Sequence, residues 1–170
     1  MIEPAKDIPD FDEHGNLPFG IYEVDFDEFK IKFSEGLSQR RAIIMEYYEQ
    51  HLKEILDCGY VLNHWIDGSF ITIDENPGDI DTLTELDGIL CDSDNSKNEI
   101  QLMFDNAPLY TKNCCHSFCI FQYPEENEIE YDLYLTAKTT YLTLRFAKDR
   151  LGNPKGILQL NLYGGELNEI

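Results

Sequence analysis

The stretch from Gln39 to Asp57 limits the fold most. Its apolar residues Ile44, Tyr48, Leu52, Ile55 and Leu56 share one helical face, with Ser38 placed to cap its start and Gly59 to end it. A helix with a single apolar stripe needs a second layer to cover that stripe. Strand-like sequence follows at once. Residues 60–73 read as a first strand broken by Gly68-Ser69, and a second short strand is expected around 79–83 after the polar turn Asp74-Glu-Asn-Pro-Gly78. Helix is expected across 96–105 and a third strand across 116–123. The segment 131–146 suits a strand through Leu133 and Leu135, or a helix through Leu133, Ala137, Tyr141 and Leu144. Residues 155–163 alternate as a final strand, or as an edge arm laid against something else. The class is therefore α+β.

Upstream of the long helix, Phe26, Phe29 and Phe33 predict a short helix over 26–34. Residues 1–20 carry three prolines and two glycines, which forbid regular helix. We read residues 1–25 as an extended N-terminal arm anchored by Ile8, Phe11, Leu17 and Phe19, and residues 26–165 as one domain.

Charge narrows the function classes. With 33 Asp and Glu against 13 Lys and Arg the formal net charge is −20, the wrong sign for generic binding to duplex DNA or anionic lipid. No apolar run approaches the roughly 20 residues that span a bilayer. The N-terminus carries neither the basic nor the apolar region of a signal peptide, so a soluble cytoplasmic protein is expected. Five cysteines without framework spacing agree with that compartment. Cys114, Cys115 and Cys119 lack a second ligand pair for zinc and read as small apolar residues of a buried strand.

The chemistry concentrates at Gly68-Ser69 and Asp79-Ile80-Asp81. Two carboxylates one residue apart on a strand point to the same side. That makes a hard oxygen site suited to Mg²⁺ (or Mn²⁺) carrying substrate phosphates. A small Gly68-Ser69 turn lets backbone N–H groups and a hydroxyl approach phosphate oxygens, and Pro77-Gly78 turns the carboxylates toward them. In so acidic a chain the same Asp-x-Asp is also compatible with plain turn chemistry.

Gly-Ser, a spacer near ten residues and Asp-x-Asp resemble the signature of the nucleotidyltransferase superfamily, the fold of DNA polymerase beta and of minimal nucleotidyltransferases in bacterial toxin–antitoxin pairs. More narrowly, Ile8-Pro9-Asp10-Phe11, Gly15, Leu17-Pro18 and Gly20 resemble the opening motif of a family of small uncharacterised bacterial proteins with that fold. Asp67-Gly68-Ser69-Phe70, Pro77-Gly78-Asp79-Ile80-Asp81 and the run from Asp149-Arg150 to Pro154-Lys155-Gly156-Ile157 resemble its later motifs. The resemblance implies a nucleotidyltransferase-like short mixed β-sheet flanked by α-helices. It implies Asp79 and Asp81 as catalytic metal ligands, with Gly68 and Ser69 at the phosphates of a nucleoside triphosphate. It also implies nucleotide transfer to a protein or RNA hydroxyl within a toxin–antitoxin or phage-defence module, with a protein partner.

One departure stands out. Active members of the superfamily carry a third carboxylate on the next strand, and the expected strand at 116–123 has none. His116 is placed to occupy that slot, and Asp132 is the nearest following carboxylate. His116 otherwise reads as a core or rim histidine, and His51 and His64 as helix- or strand-face residues. Five of the 13 cations, Lys138, Arg145, Lys148, Arg150 and Lys155, cluster near the C-terminus, whereas residues 61–110 carry eleven acids against Lys97 alone. Arg150 and Lys155 are candidates for clamping a triphosphate tail or RNA phosphates, or for balancing the acidic middle. An alternative function is a catalytically degenerate fold acting as an acidic inhibitor of a basic partner. A free-standing nucleic-acid mimic is disfavoured by the organised motif.

Overall fold

The computed structural model describes residues 7–110 and 114–162. In chain order the elements are β1 (Ile21–Val24), α1 (Phe26–Phe33), α2 (Gln39–Asp57), β2 (Val61–Asp67), a single 3₁₀ turn (Ser69–Ile71) and β3 (Ile80–Asp87). Then come α3 (Gly88–Ser93), α4 (Lys97–Tyr110), β4 (Cys115–Gln122), α5 (Glu128–Thr139), a π-helical turn (Thr140–Arg145) and β5 (Ile157–Leu160). The strands form one mixed sheet in the order β1-β5-β2-β3-β4. β1 runs parallel to β5 and β4 parallel to β3, while β2 is antiparallel to both β3 and β5. The α+β class is as expected, and no helix among the described residues is long and apolar enough to cross a membrane.

Period-2 alternation sorts each strand onto two faces. On one face, Ile66, Ile80, Leu158 and Leu160 pack against Phe26, Phe29 and Phe33 of α1 and Ile44, Tyr48 and Leu52 of α2. On the other, Trp65, Leu83, Ile120 and Ile157 pack beneath Tyr134, Leu142 and Phe146 of α5 and the π-helical turn. Helix α2 begins and ends where Ser38 and Gly59 predict; the Ser38 hydroxyl accepts from the Arg41 N–H at 3.3 Å. Cys91, Cys114 and Cys115 are buried, and none of them forms a disulfide among the described residues.

Several expectations need correction. Residues 21–24, assigned to the arm, form an edge strand of the sheet. Phe19 is 58% exposed and anchors nothing, whereas Leu17 is fully buried and Ile8 and Phe11 lie against the core. β5 is an interior strand, which removes the edge-arm alternative, and the 131–146 segment is helical. β3 runs on to Asp87 because its polar residues are paired internally. Thr82 donates to the Ser117 hydroxyl at 3.0 Å, Thr84 meets His64 at 2.9 Å, and Glu85 takes Lys138 at 2.6 Å. Helix α3 escapes the periodicity argument because it is too short to show a stripe; Asp87 caps it by accepting from the Leu90 N–H at 3.0 Å.

Candidate functional site

Alternation places the chemistry. Asp67 ends β2, Asp81 lies near the start of β3 and His116 near the start of β4, and the pairs Asp67↔Asp81 and Asp81↔His116 are in direct register. Residues in register share a sheet face, so all three project to the α5 side at one end of the sheet. Asp79 joins them from the turn before β3. His116 Nδ1 lies 3.1 Å from Asp79 Oδ2 and 3.5 Å from Asp81 Oδ1. One ligand atom from each of Asp79, Asp81 and His116 falls within 4.8 Å of the others, a set able to hold a metal ion. This cluster opens onto a polar cleft of ≈ 560 Å³, whose lining includes Ser69, Asn76, Arg145, Lys148, Arg150 and Lys155.

Gly68 makes the approach possible. Its φ of +90° suits glycine, and a Cβ there would run into the Asp81 carboxylate, 3.2 Å from Cγ and 3.1 Å from the Asp81 amide nitrogen. The backbone thus passes directly over Asp81 before entering the 3₁₀ turn, where the Ser69 carbonyl accepts from the Thr72 N–H and hydroxyl at 3.2 and 2.8 Å.

Two successive arginines at the start of α2 hold the loop between Ser69 and Asp79. The buried Arg41 guanidinium donates to the carbonyls of Phe33, Phe70, Thr72 and Asp74 at 2.5–3.0 Å. Arg40 donates to the carbonyls of Pro77 at 3.1 Å and of Gly78, one residue before Asp79. The opposite rim is the 149–154 loop, gathered around Asp149. That carboxylate accepts from the Leu151 and Asn153 amides and from the Asn16 and Asn153 side chains at 2.9–3.0 Å. These bonds hold its pKa well below the usual carboxylate range. Asn16 therefore ties the N-terminal segment to the rim.

The charges are strongly conditioned by burial. Burial pushes the Asp67 carboxyl up to about 7, against the pull of Lys155, whose ammonium sits 2.9 Å away. Asp81 is raised too, first by burial and then by the like charge of Asp79, with His116, Lys155 and Arg145 opposing. Among the described residues no lysine or arginine comes within ion-pair distance of Asp79 or Asp81; His116 alone does.

The sequence-selected residues thus separate into groups. Gly68, Ser69, Asp79 and Asp81 meet at the cleft, and His116 occupies the position beside Asp81. Arg150 is exposed at the rim. Lys155 is 5% exposed, lines the cleft and pairs with Asp67. Asp132 is exposed on α5 and lines no part of the cleft. Sequence reasoning missed Asp67 as a buried acid, Arg145 and Lys148 as lining residues, and the supporting roles of Arg40, Arg41, Asn16 and Asp149. An Asp-Gly-Ser run gave a signal for the first, since Asp67 pairs with Asp81 wherever the two strands form a hairpin around the turn.

No curated protein and no solved structure shows significant similarity to the chain. Residues 9–161, which hold every element from β1 to β5, match the profile of a family of unknown function, DUF6932, and the chain belongs to that family.

Proposed function

We propose that this protein binds a nucleoside triphosphate with a divalent cation, Mg²⁺ or Mn²⁺, in a nucleotidyltransferase-like fold, and transfers a nucleotide to a hydroxyl of a protein or RNA. The observation that carries the reading is the cluster of Asp79, Asp81 and His116, whose two carboxylates line a cleft that also holds the Gly68-Ser69 turn and exposed cations. The donor set fits a divalent cation, and Gly68 leaves open the space a Cβ would fill over Asp81. A cation held there supplies charge neutralisation at the phosphates and at the leaving group. The Ser69 turn presents small polar groups to phosphate, while Lys148 and Arg150, exposed on the other rim, meet the anionic tail. In the transfer, the acceptor oxygen bonds to the α-phosphorus, pyrophosphate leaves with the bridging oxygen, and the hydroxyl proton passes to solvent.

The strand arrangement supports the fold part of this reading, with Asp67 and Asp81 on an antiparallel pair and His116 on a parallel neighbour. A toxin–antitoxin or phage-defence setting and a protein partner rest on motif resemblance. The test is incubation with labelled ATP, CTP, GTP or UTP and Mg²⁺ or Mn²⁺, with and without the product of the neighbouring gene. Label on protein or RNA, lost in Asp79→Asn plus Asp81→Asn, is expected. Absence of both transfer and metal-dependent nucleotide binding refutes the proposal.

A second reading has its own observation. The superfamily resemblance implies a third carboxylate, β4 offers His116 beside Asp81 instead, and α5 exposes Ile129 and Leu133 among acidic residues. A catalytically degenerate protein that binds a basic partner through this acidic surface would inhibit that partner even as the Asp79→Asn, Asp81→Asn variant.

A further inference from the structure

We infer that the cation site is nitrogen-containing, with His116 as a direct ligand, and that it selects Mn²⁺ or a similar first-row transition ion over Mg²⁺. This rests on the metal–nucleotide reading above and sharpens its cofactor. Mg²⁺ takes oxygen ligands and retains several waters, whereas the first-row transition ions accept imidazole, Mn²⁺ least and Fe²⁺, Ni²⁺ and Zn²⁺ more readily. His116 Nδ1 faces both carboxylates at 3.1 and 3.5 Å, and nothing but these three side chains makes up the cluster among the described residues. Direct register between Asp81 and His116 on parallel strands fixes the imidazole beside the carboxylate. Asp79 and Asp81 line the cleft, so an ion held by the cluster would be accessible to a further ligand from that side. Two ionised carboxylates carry a charge of −2, which one divalent ion balances. The remaining buried acid nearby, Asp67, is already matched by Lys155 and supplies no free charge for a second ion.

The experiment uses the full chain and Mn²⁺ itself. Loss of the free Mn²⁺ signal in electron paramagnetic resonance gives stoichiometry and affinity, Mg²⁺ competition gives the preference, and pulsed measurements read nitrogen coupling to bound Mn²⁺. We expect one Mn²⁺ per chain with a nitrogen coupling that vanishes in His116→Asp. Outer-shell partners of metal ligands are typically worth 10- to 100-fold in affinity, so exchanging a ligand is expected to narrow the Mn²⁺ over Mg²⁺ preference by about tenfold or more. His116 is half-exposed, and circular dichroism checks that the variant folds. Mn²⁺ binding that needs Asp79 and Asp81 but shows no nitrogen coupling, with the preference unchanged in His116→Asp, overturns the inference and leaves the metal–nucleotide reading standing. If all bound Mn²⁺ persists in Asp79→Asn plus Asp81→Asn, or neither ion binds with or without nucleotide, both fall.

Discussion

Replacing Arg41 tests whether the cleft is built from α2. This guanidinium is 2% exposed and has no carboxylate within ion-pair distance among the described residues; it is held by five hydrogen bonds to four main-chain carbonyls. A hydrogen bond to a charged group contributes about 1.5–3 kcal/mol, and an orphaned buried acceptor costs about 1–3 kcal/mol. In Arg41→Met the side-chain volume is nearly kept, so the cavity contribution is small. The bonds to Phe33 and Phe70 are fully buried, and their carbonyls lose their partner with little access to water. The Thr72 and Asp74 carbonyls lie nearer the surface and recover some hydration. The expected loss is about 3–5 kcal/mol, a large share of the 5–15 kcal/mol that stabilises a typical domain. Urea unfolding followed by circular dichroism measures it through the midpoint at constant slope. Arg41→Lys keeps the charge but cannot span four carbonyls with a single ammonium. It is expected to weaken Mn²⁺ binding, because the 70–74 segment beside the Gly68-Ser69 turn is no longer fixed. An Arg41→Met variant within about 1 kcal/mol of wild type would refute the reasoning, since the smallest sum of the lost bonds exceeds that.

Other perturbations have equally definite outcomes. Gly68→Ala puts a Cβ against Asp81 at φ +90°; the left-handed backbone alone costs about 1–2 kcal/mol, and a lower melting temperature with weakened Mn²⁺ binding is expected. Lys155→Met removes the cation that opposes the burial of Asp67, whose carboxyl is already at about 7, so a destabilisation that grows as pH rises above 7 is expected, with much of it recovered on adding Asp67→Asn; equal stability of the single and double variants at pH 9 would show that the pair is not coupled. Burial holds His51 at about 4 and His64 at about 3, so below pH 6.5 the unfolded chain takes up protons that the folded chain refuses. The histidine contribution is therefore lost as pH falls below 6.5 toward 4, at about 1.4 kcal/mol per pH unit for each, and is opposed by Asp67, whose carboxyl at about 7 favours the folded state as pH drops; urea midpoints at pH 7 and pH 5 in an Asp67→Asn background test the histidine part.

How much was legible in the sequence depends on how local the determining forces are. Helix α2 was readable to the residue because its stripe, cap and stop are local. So was the alternation of β5, but its central place in the sheet was not, because partner choice depends on strands far away in sequence. β3 looked short because Thr82, Thr84 and Glu85 are polar, and only the tertiary partners Ser117, His64 and Lys138 account for their burial. The Asp79 and Asp81 pair was visible from period-2 spacing, and the register Asp81↔His116 turned a guessed slot into a geometry. Arg40 and Arg41 were invisible for a physical reason. They bind main-chain carbonyls, which every residue carries, so no side-chain pattern marks their targets.

The α5-facing side of the sheet carries an imbalance that makes one last prediction. Lys138 neutralises Glu85 at 2.6 Å and Lys155 neutralises Asp67 at 2.9 Å, each pair nearly excluded from solvent. Asp81 lies on the same face in register with Asp67, and among the described residues its ion-pair partner is His116 rather than a lysine or arginine. Its pKa is raised, first by burial and then by Asp79, so folding works against its charge. A divalent cation bound there would relieve that cost. Asp81→Asn is therefore expected to raise the melting temperature of the metal-free protein, by the equivalent of about 1 kcal/mol, while abolishing the gain that Mn²⁺ gives the wild type. Thermal unfolding of both proteins, with chelator and with Mn²⁺, measures the two effects together. A destabilised metal-free variant would mean that the carboxylate is a structural group, and the argument for a cation at this position would lose its electrostatic basis.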